Sequence, residues 1–340
     1  MQRRLDGTDA AMAVLVVVWG TAFVSVKELG TVLDPFELTW FRYVPFLAFF
    51  AVWLVVARRD RFRTVSGGDW IRFAACGFFG VLGYHLPLNW STTTLTPGEP
   101  ISGGTAAVLV ATTPLWTILW VRLLTTERFT PRQLWGSAMA FAGVAMVVFL
   151  GHPGATGPTL QMKAIIGLGA PMLWSFYNIL AKPLVHRYGG LFTTGVAMGL
   201  GTLTLLPFGI ARGTAPLVGF TAMDWFWLLY LALLATVAGY MVWNVALKFR
   251  SPAQLTSYIY AIPVVATLAG VLLIGERITP WFVAGAALVL YGLTRVQAPA
   301  RSSIAVAGEP VALAGSSAPG KAGGDATGDA GGDLAARRKL

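Results

Sequence analysis

The chain has 340 residues, 56% of them hydrophobic and only 12% charged, with a mean hydropathy of +0.66. A soluble domain carries about 25% charged residues, so about half of the polar surface that a water-soluble protein needs is missing. A single Cys excludes a disulfide framework and any zinc site built on several thiolates. The 25 Lys and Arg, net charge +10, are scattered through apolar sequence and do not form the basic face that nucleic acid requires.

Taken in chain order, the sequence yields ten apolar runs, each near the roughly 20 residues needed to cross a bilayer. The first, 10–29, follows Arg3 and Arg4 but lacks a small-residue cleavage site, so it is expected to be an uncleaved span. The others are 36–57, 71–93, 103–124, 132–150, 163–183, 191–211, 224–247, 252–274 and 280–296. Turn residues separate them, such as Asp34-Pro35, Ser66-Gly67-Gly68, Pro97-Gly98, His152-Pro153-Gly154 and Gly189-Gly190. Short breaks between long apolar runs predict an all-α integral membrane bundle, because unpaired backbone cannot face lipid. With the N-terminus placed in the cytoplasm, sixteen of the 25 basic residues fall on the inner side, five on the outer side and four in the tail. That bias puts both termini inside. From about residue 298 to Leu340, Ala, Gly, Ser and Pro dominate without apolar periodicity, and a disordered cytoplasmic tail is expected.

The chain also repeats itself. Glu127-Arg128-Phe129-Thr130-Pro131 recurs as Glu276-Arg277-Ile278-Thr279-Pro280, 149 residues later, and Pro114, Gly136 and Gly143 find Pro263, Gly285 and Gly292 at the same offset. Trp19 and Lys27 match Trp174 and Lys182, and Gly83-Tyr84 matches Gly239-Tyr240. Two units follow, 1–150 and 151–297, ahead of the tail at 298–340. Each holds five spans, an odd number, so the second enters the bilayer from the opposite side. Inverted repeats of this kind are an architecture of alternating-access transporters. Pro114 and Pro263 are expected as hinges, each freeing the carbonyl four residues earlier (Val110, Ile259). Thr130 and Thr279 read as N-caps with proline following, and Gln133 completes a capping box on the first copy alone. Glu127 and Glu276 then read as helix-end charges.

With Trp19-Gly20, Lys27, Trp40-Phe41-Arg42-Tyr43 and the paired Pro…Glu-Arg-x-Thr-Pro units laid out, residues 10–296 resemble the EamA-type branch of the drug/metabolite transporter superfamily. The resemblance implies ten transmembrane helices as two inverted five-helix repeats around a central cavity. It also implies the inner membrane of a bacterium, and in many members the export of amino acids or other small metabolites. One departure stands out: span two carries Arg42-Tyr43, whereas span seven carries no charge.

No nucleotide-binding loop, His-Glu-x-x-His or Gly-x-Ser-x-Gly is present, so neither ATP hydrolysis nor an enzyme is expected, and no cofactor or metal. Intramembrane polar and aromatic groups are the remaining candidates for contact with a small-molecule substrate. They are Trp19, His85, Asn89, Trp174, Tyr177, Asn178, Tyr240, Asn244 and Tyr258. His85 reads either as a proton carrier or as a neutral packing residue. Lys27 and Arg42 read either as attractors of an anionic substrate or as snorkelling side chains paired with Glu28 or Glu37. A metabolite exporter is the leading expectation. An importer or exchanger of the same fold, and a lipid-handling or scaffold protein without solute flux, fit the same residues, and a homodimer stays open.

Overall fold

The computed structural model describes residues 7–124, 130–151, 158–246, 258 and 260–297. Glu127, Arg128, the His152-Pro153-Gly154 turn, the expected tail at 298–340 and the side chain of Asn244 lie outside the described residues. Within them, every regular element is helical. In chain order they are α1 (Gly7–Leu29), α2 (Pro35–Phe62), α3 (Gly67–Thr92), α4 (Gly103–Ala111 and Thr113–Leu124) and α5 (Pro131–Leu150). They continue with α6 (Pro158–Tyr188), α7 (Gly190–Thr204 and Leu206–Arg212, bent by 49°), α8 (222–246), α9 (Ile262–Ile274) and α10 (Pro280–Gln297). Five of these are long and apolar enough on their own to cross a membrane, and the bent pair of α7 makes a sixth. Large apolar side chains such as Val56, Ile71, Trp135 and Leu272 stand outward, as a bundle dissolved in lipid requires.

The ends are set by local chemistry. Ser66 and Ser102 cap α3 and α4, accepting from the backbone N–H of Asp69 and Thr105. Thr130 and Gln133 form the expected capping box at α5, and Thr221 with Asp224 forms another at α8. Thr279 accepts from the Phe282 N–H at the start of α10, with Pro280 first in the helix. Gly275, with φ of 66°, closes α9 in a conformation that disfavours any side chain.

Each of the two prolines stands second in a helical segment that follows a turn. At Pro114, α4 breaks at Thr112, and the Val110 carbonyl freed by the proline accepts the Thr113 hydroxyl at 2.7 Å. A freed carbonyl is thus satisfied next to the break, as burial demands. Pro263 stands second in α9 after a turn at Tyr260 and Ala261, where its missing N–H costs nothing, and Ile259, whose carbonyl it was expected to free, lies outside the described residues. Two segments not legible in the sequence are π-helical, Phe78–Gly83 in α3 and Tyr230–Ala238 in α8. Each ends just before or at the glycine of a Gly-Tyr pair, Gly83-Tyr84 and Gly239-Tyr240.

Hydrogen bonds between helix ends fix the directions of the helices. Lys163, early in α6, donates to the Thr93 carbonyl just beyond α3. At the other end of α6, Arg187 and Tyr188 both bond Asp69 at the start of α3, each at 2.7 Å. The two helices are therefore antiparallel. The Gly30 carbonyl, one residue past α1, accepts from Thr93 and Thr94, so α1 runs parallel to α3 and opposite to α6. Packing follows the same exchange. The α1–α9 contact has its counterpart in α6–α4, α3–α6 in α8–α1, and α3–α7 in α8–α2. The most extensive pair, α5–α10, is its own counterpart: Gly143 meets Gly285 and Gly136 meets Gly292, backbone against backbone. Without a hydrophobic drive between helices in lipid, such small-residue contacts are what permit close approach.

Candidate functional site

Arg42 and Tyr43 lie two turns into α2, His85 follows the π-helical segment of α3, and Thr236 and Tyr240 come from α8. Arg42 donates from Nε to the Thr236 hydroxyl at 2.8 Å, and its NH1 lies 3.5 Å from Nδ1 of His85. The other ring nitrogen, Nε2, is 2.7 Å from the Tyr43 hydroxyl. Tyr240 is hydrogen-bonded to Tyr43 and packs edge-on against Phe46. The π-helical segment supplies the Arg42 partner: the Thr236 hydroxyl donates to the Leu231 carbonyl five residues back and accepts the guanidinium with a lone pair. π-helical turns of this sort recur at functional positions.

His85 is 1% exposed. With Arg42 donating toward Nδ1, the ring proton belongs on Nε2, where it points at Tyr43. A second ring proton would face guanidinium N–H groups. His85 thus links Arg42 to Tyr43 through its two ring nitrogens. Tyr84 stands edge-on to His85 at 4.6 Å between ring centres and lies 5.1 Å from Trp174, which stacks on Tyr177 at 4.5 Å. A polar chain and an aromatic wall therefore meet at Tyr84 and His85.

Of the residues singled out in the sequence, His85, Trp174, Tyr177 and Tyr240 are brought together here. Asn178 sits one turn beyond Trp174 and is exposed. Asn89 is a strut: fully buried, its amide donates to Thr39 and to the Pro35 carbonyl at the start of α2. Trp19, the repeat mate of Trp174, packs on Trp243 and donates from Nε1 to the Ala235 carbonyl at 2.9 Å. Tyr258 bonds Asp9 at the start of α1, at 2.6 Å. The backbone of Asn244 lies in α8 near Trp243, and its side chain is outside the description.

The pairings expected for Lys27 and Arg42 are replaced by others. Lys27 bonds Glu276 at 2.6 Å, and the same carboxylate oxygen accepts the Gly103 N–H at the start of α4 at 2.9 Å. Glu276 is thus a helix-end charge set at the positive end of α4. Glu37 pairs with Arg212 of α7, leaving Arg42 with no carboxylate among the described residues. Arg42 and Thr236 are the members of the cluster that sequence reasoning undervalued. A signal was present for Arg42: Leu38, Thr39, Pro45 and Phe46, its neighbours one turn away, include no acid.

The profile of the EamA-like transporter family matches this chain twice, over residues 8–149 and 161–296. The chain belongs to the EamA-like transporter family. Among similar members, a protein of Streptantibioticus cattleyicolor named "Probable terminal-alkyne amino-acid exporter" is 32% identical over 295 residues, covering 83% of this chain and 91% of that one. An Archaeoglobus fulgidus protein named only as a transporter is 28% identical over 288 residues, 83% of this chain and 95% of its own. An Escherichia coli protein named "Probable amino-acid metabolite efflux pump" is 26% identical over 301 residues, 85% and 94% respectively. A crystal structure with 19% identity superposes with a TM-score of 0.58 over 84% of this chain and 94% of its own, which speaks to the fold. This EamA-like protein is therefore a multi-pass membrane protein of a transporter family. Its polar chain joins α2 and α3 of the first matched segment to α8 of the second.

Proposed function

We propose that this protein is a secondary-active or facilitative carrier that exports a small organic metabolite, an amino acid or a related compound, across a bacterial inner membrane. The carrying observation is the antiparallel course of α1 and α6 together with the exchange-symmetric packing of their neighbours. Ten spans in two inverted five-helix units, with both termini cytoplasmic, account for that packing and for the distribution of basic residues. Two similar units in opposite orientation can trade conformations, so inward-open and outward-open states lie close in energy. In the present state, Lys27–Glu276, Arg212–Asp34 and Gly30–Thr93 hold together the ends assigned to the outer face. The Arg42–His85–Tyr43 cluster and the Tyr84–Trp174 wall then lie along the solute path. The names of the Streptantibioticus and Escherichia relatives support export and an amino-acid-like cargo.

The test is flux with the purified protein in liposomes, using a broad metabolite panel loaded inside or outside. Gradient-dependent movement of at least one amino-acid-like compound is the expected result. No movement of any panel member in either direction would instead favour a lipid-handling or scaffold role.

A further inference from the structure

A guanidinium inside a membrane bundle ordinarily finds an acid. Arg42 is 9% exposed, and its described partners are the Thr236 hydroxyl, the His85 imidazole and the face of the Tyr43 ring at 5.8 Å. Of its five N–H groups, Nε serves Thr236 and one NH1 proton reaches toward His85, so three have no acceptor among the described residues. No acid stands within ion-pair distance of Arg42 among those residues. The cluster therefore carries a positive charge with no anion beside it among the described residues. Beside it, Trp174 is half-buried, and its indole N–H has no acceptor among the described residues, unlike that of its repeat mate Trp19. The position one repeat on from Arg42 in span seven is Ala197, buried and uncharged, so the asymmetry lies on one side of the bundle.

We infer that Arg42 is the anchor for a substrate carboxylate, with Tyr84 and Trp174 receiving a planar apolar body, so that the transported class is aromatic or similarly flat monocarboxylates. This rests on the transport reading and sharpens it. A carboxylate fits the free fork of the guanidinium through two parallel N–H···O bonds and supplies the missing negative charge. The site has a fixed cation and no fixed anion, so it selects for the acid group and not for an amine: an amino acid and its deaminated analogue both fit, and the matching amine does not. Arg42 also ties α2 to α8 through Thr236.

The experiment measures binding by calorimetry on the full-length protein in nanodiscs, with 3-phenylpropionate, its neutral amide and 3-phenylpropylamine as probes. The wild type is expected to prefer the acid over both others by about 10-fold or more, as loss of one charge-assisted partner predicts. Arg42→Gln is expected to weaken the acid by about 30-fold or more while leaving the amide within a few-fold, since it removes one member of a desolvated charge pair. Should Arg42→Gln fail to fold, Arg42→Lys must retain the acid preference in reduced form. Equal binding of acid and amide, an acid-to-amide ratio untouched in the Arg42 variants, or no acid binding at all would overturn the inference. Calorimetry needs no flux, so the carrier reading stands or falls separately: liposomes that move metabolites but ignore these acids refute the anchor alone, and binding without any flux refutes the carrier alone.

Discussion

Replacing Glu276 by Gln tests whether the Lys27–Glu276 pair holds the assigned outer face shut. The pair is 2.6 Å apart, with side-chain exposures of 27% for Lys27 and 7% for Glu276. At an effective dielectric near 20, two unit charges at that distance attract by about 6 kcal/mol. Most of this is offset by desolvation. Breaking a fully buried pair costs about 3–5 kcal/mol, and an exposed one about 0–1. This pair lies between those limits, so removing the charge of Glu276 should cost about 2 kcal/mol, or about 30-fold in the closed-to-open ratio. Gln retains an oxygen for the Gly103 N–H, so most of the change falls on Lys27. Ala106, fully buried in α4 close to this end, serves as reporter once replaced by Cys, with the buried native Cys76 changed to Ala. Glu276→Gln should speed labelling of that Cys by a membrane-impermeant maleimide by about 10- to 30-fold, since the rate follows the open population when closing is fast. Changing Lys27 to Met as well should recover part of the protection, because no charge is then left unpaired. An unchanged labelling rate together with an unchanged melting temperature would refute the claim that this pair keeps the end closed.

Four further outcomes follow from the packing. Gly143→Val should lose most folded yield in detergent, because a Cβ there would lie 2.6 Å from the Gly285 carbonyl oxygen and overpacking against backbone costs about 3 kcal/mol or more. Gly67→Ala, with nothing within 4 Å, should melt within a degree or two of the wild type. Thr113→Val should lower stability by about 1–2 kcal/mol by orphaning the Val110 carbonyl, and Pro114→Ala in the same chain should restore much of it by rebuilding the helical hydrogen bond; thermal melts of both variants measure this. Trp19→Phe should destabilise by about 1 kcal/mol through the lost bond to Ala235, whereas Trp174→Phe should leave the melting temperature alone and weaken substrate binding in the calorimetric assay.

The sequence by itself determined the helices, many of their caps and the repeat. A bilayer forces each crossing to be long, apolar and internally hydrogen-bonded, so the span is a local property readable residue by residue. The capping box at Thr130 and Gln133 and the proline-led start at Thr279-Pro280 are equally local, settled within four residues. Pro114 showed which carbonyl would be freed, and Thr113, its neighbour, is what satisfies it. The candidate site was legible in part: His85, Trp174, Tyr177 and Tyr240 do converge, while Asn89 proves to be a strut and Trp19 is locked to Ala235. Only the tertiary structure decided those roles, because each depends on a partner far along the chain. Thr236 reaches Arg42 across 194 residues, and Glu276 reaches Lys27 across 249. The π-helical segment that turns Thr236 toward Arg42 ends at a Gly-Tyr pair that the sequence repeats, yet neither composition nor spacing there shows that the turns before it are π-helical. Which charges meet an opposite charge, and which do not, is a property of helix juxtaposition alone.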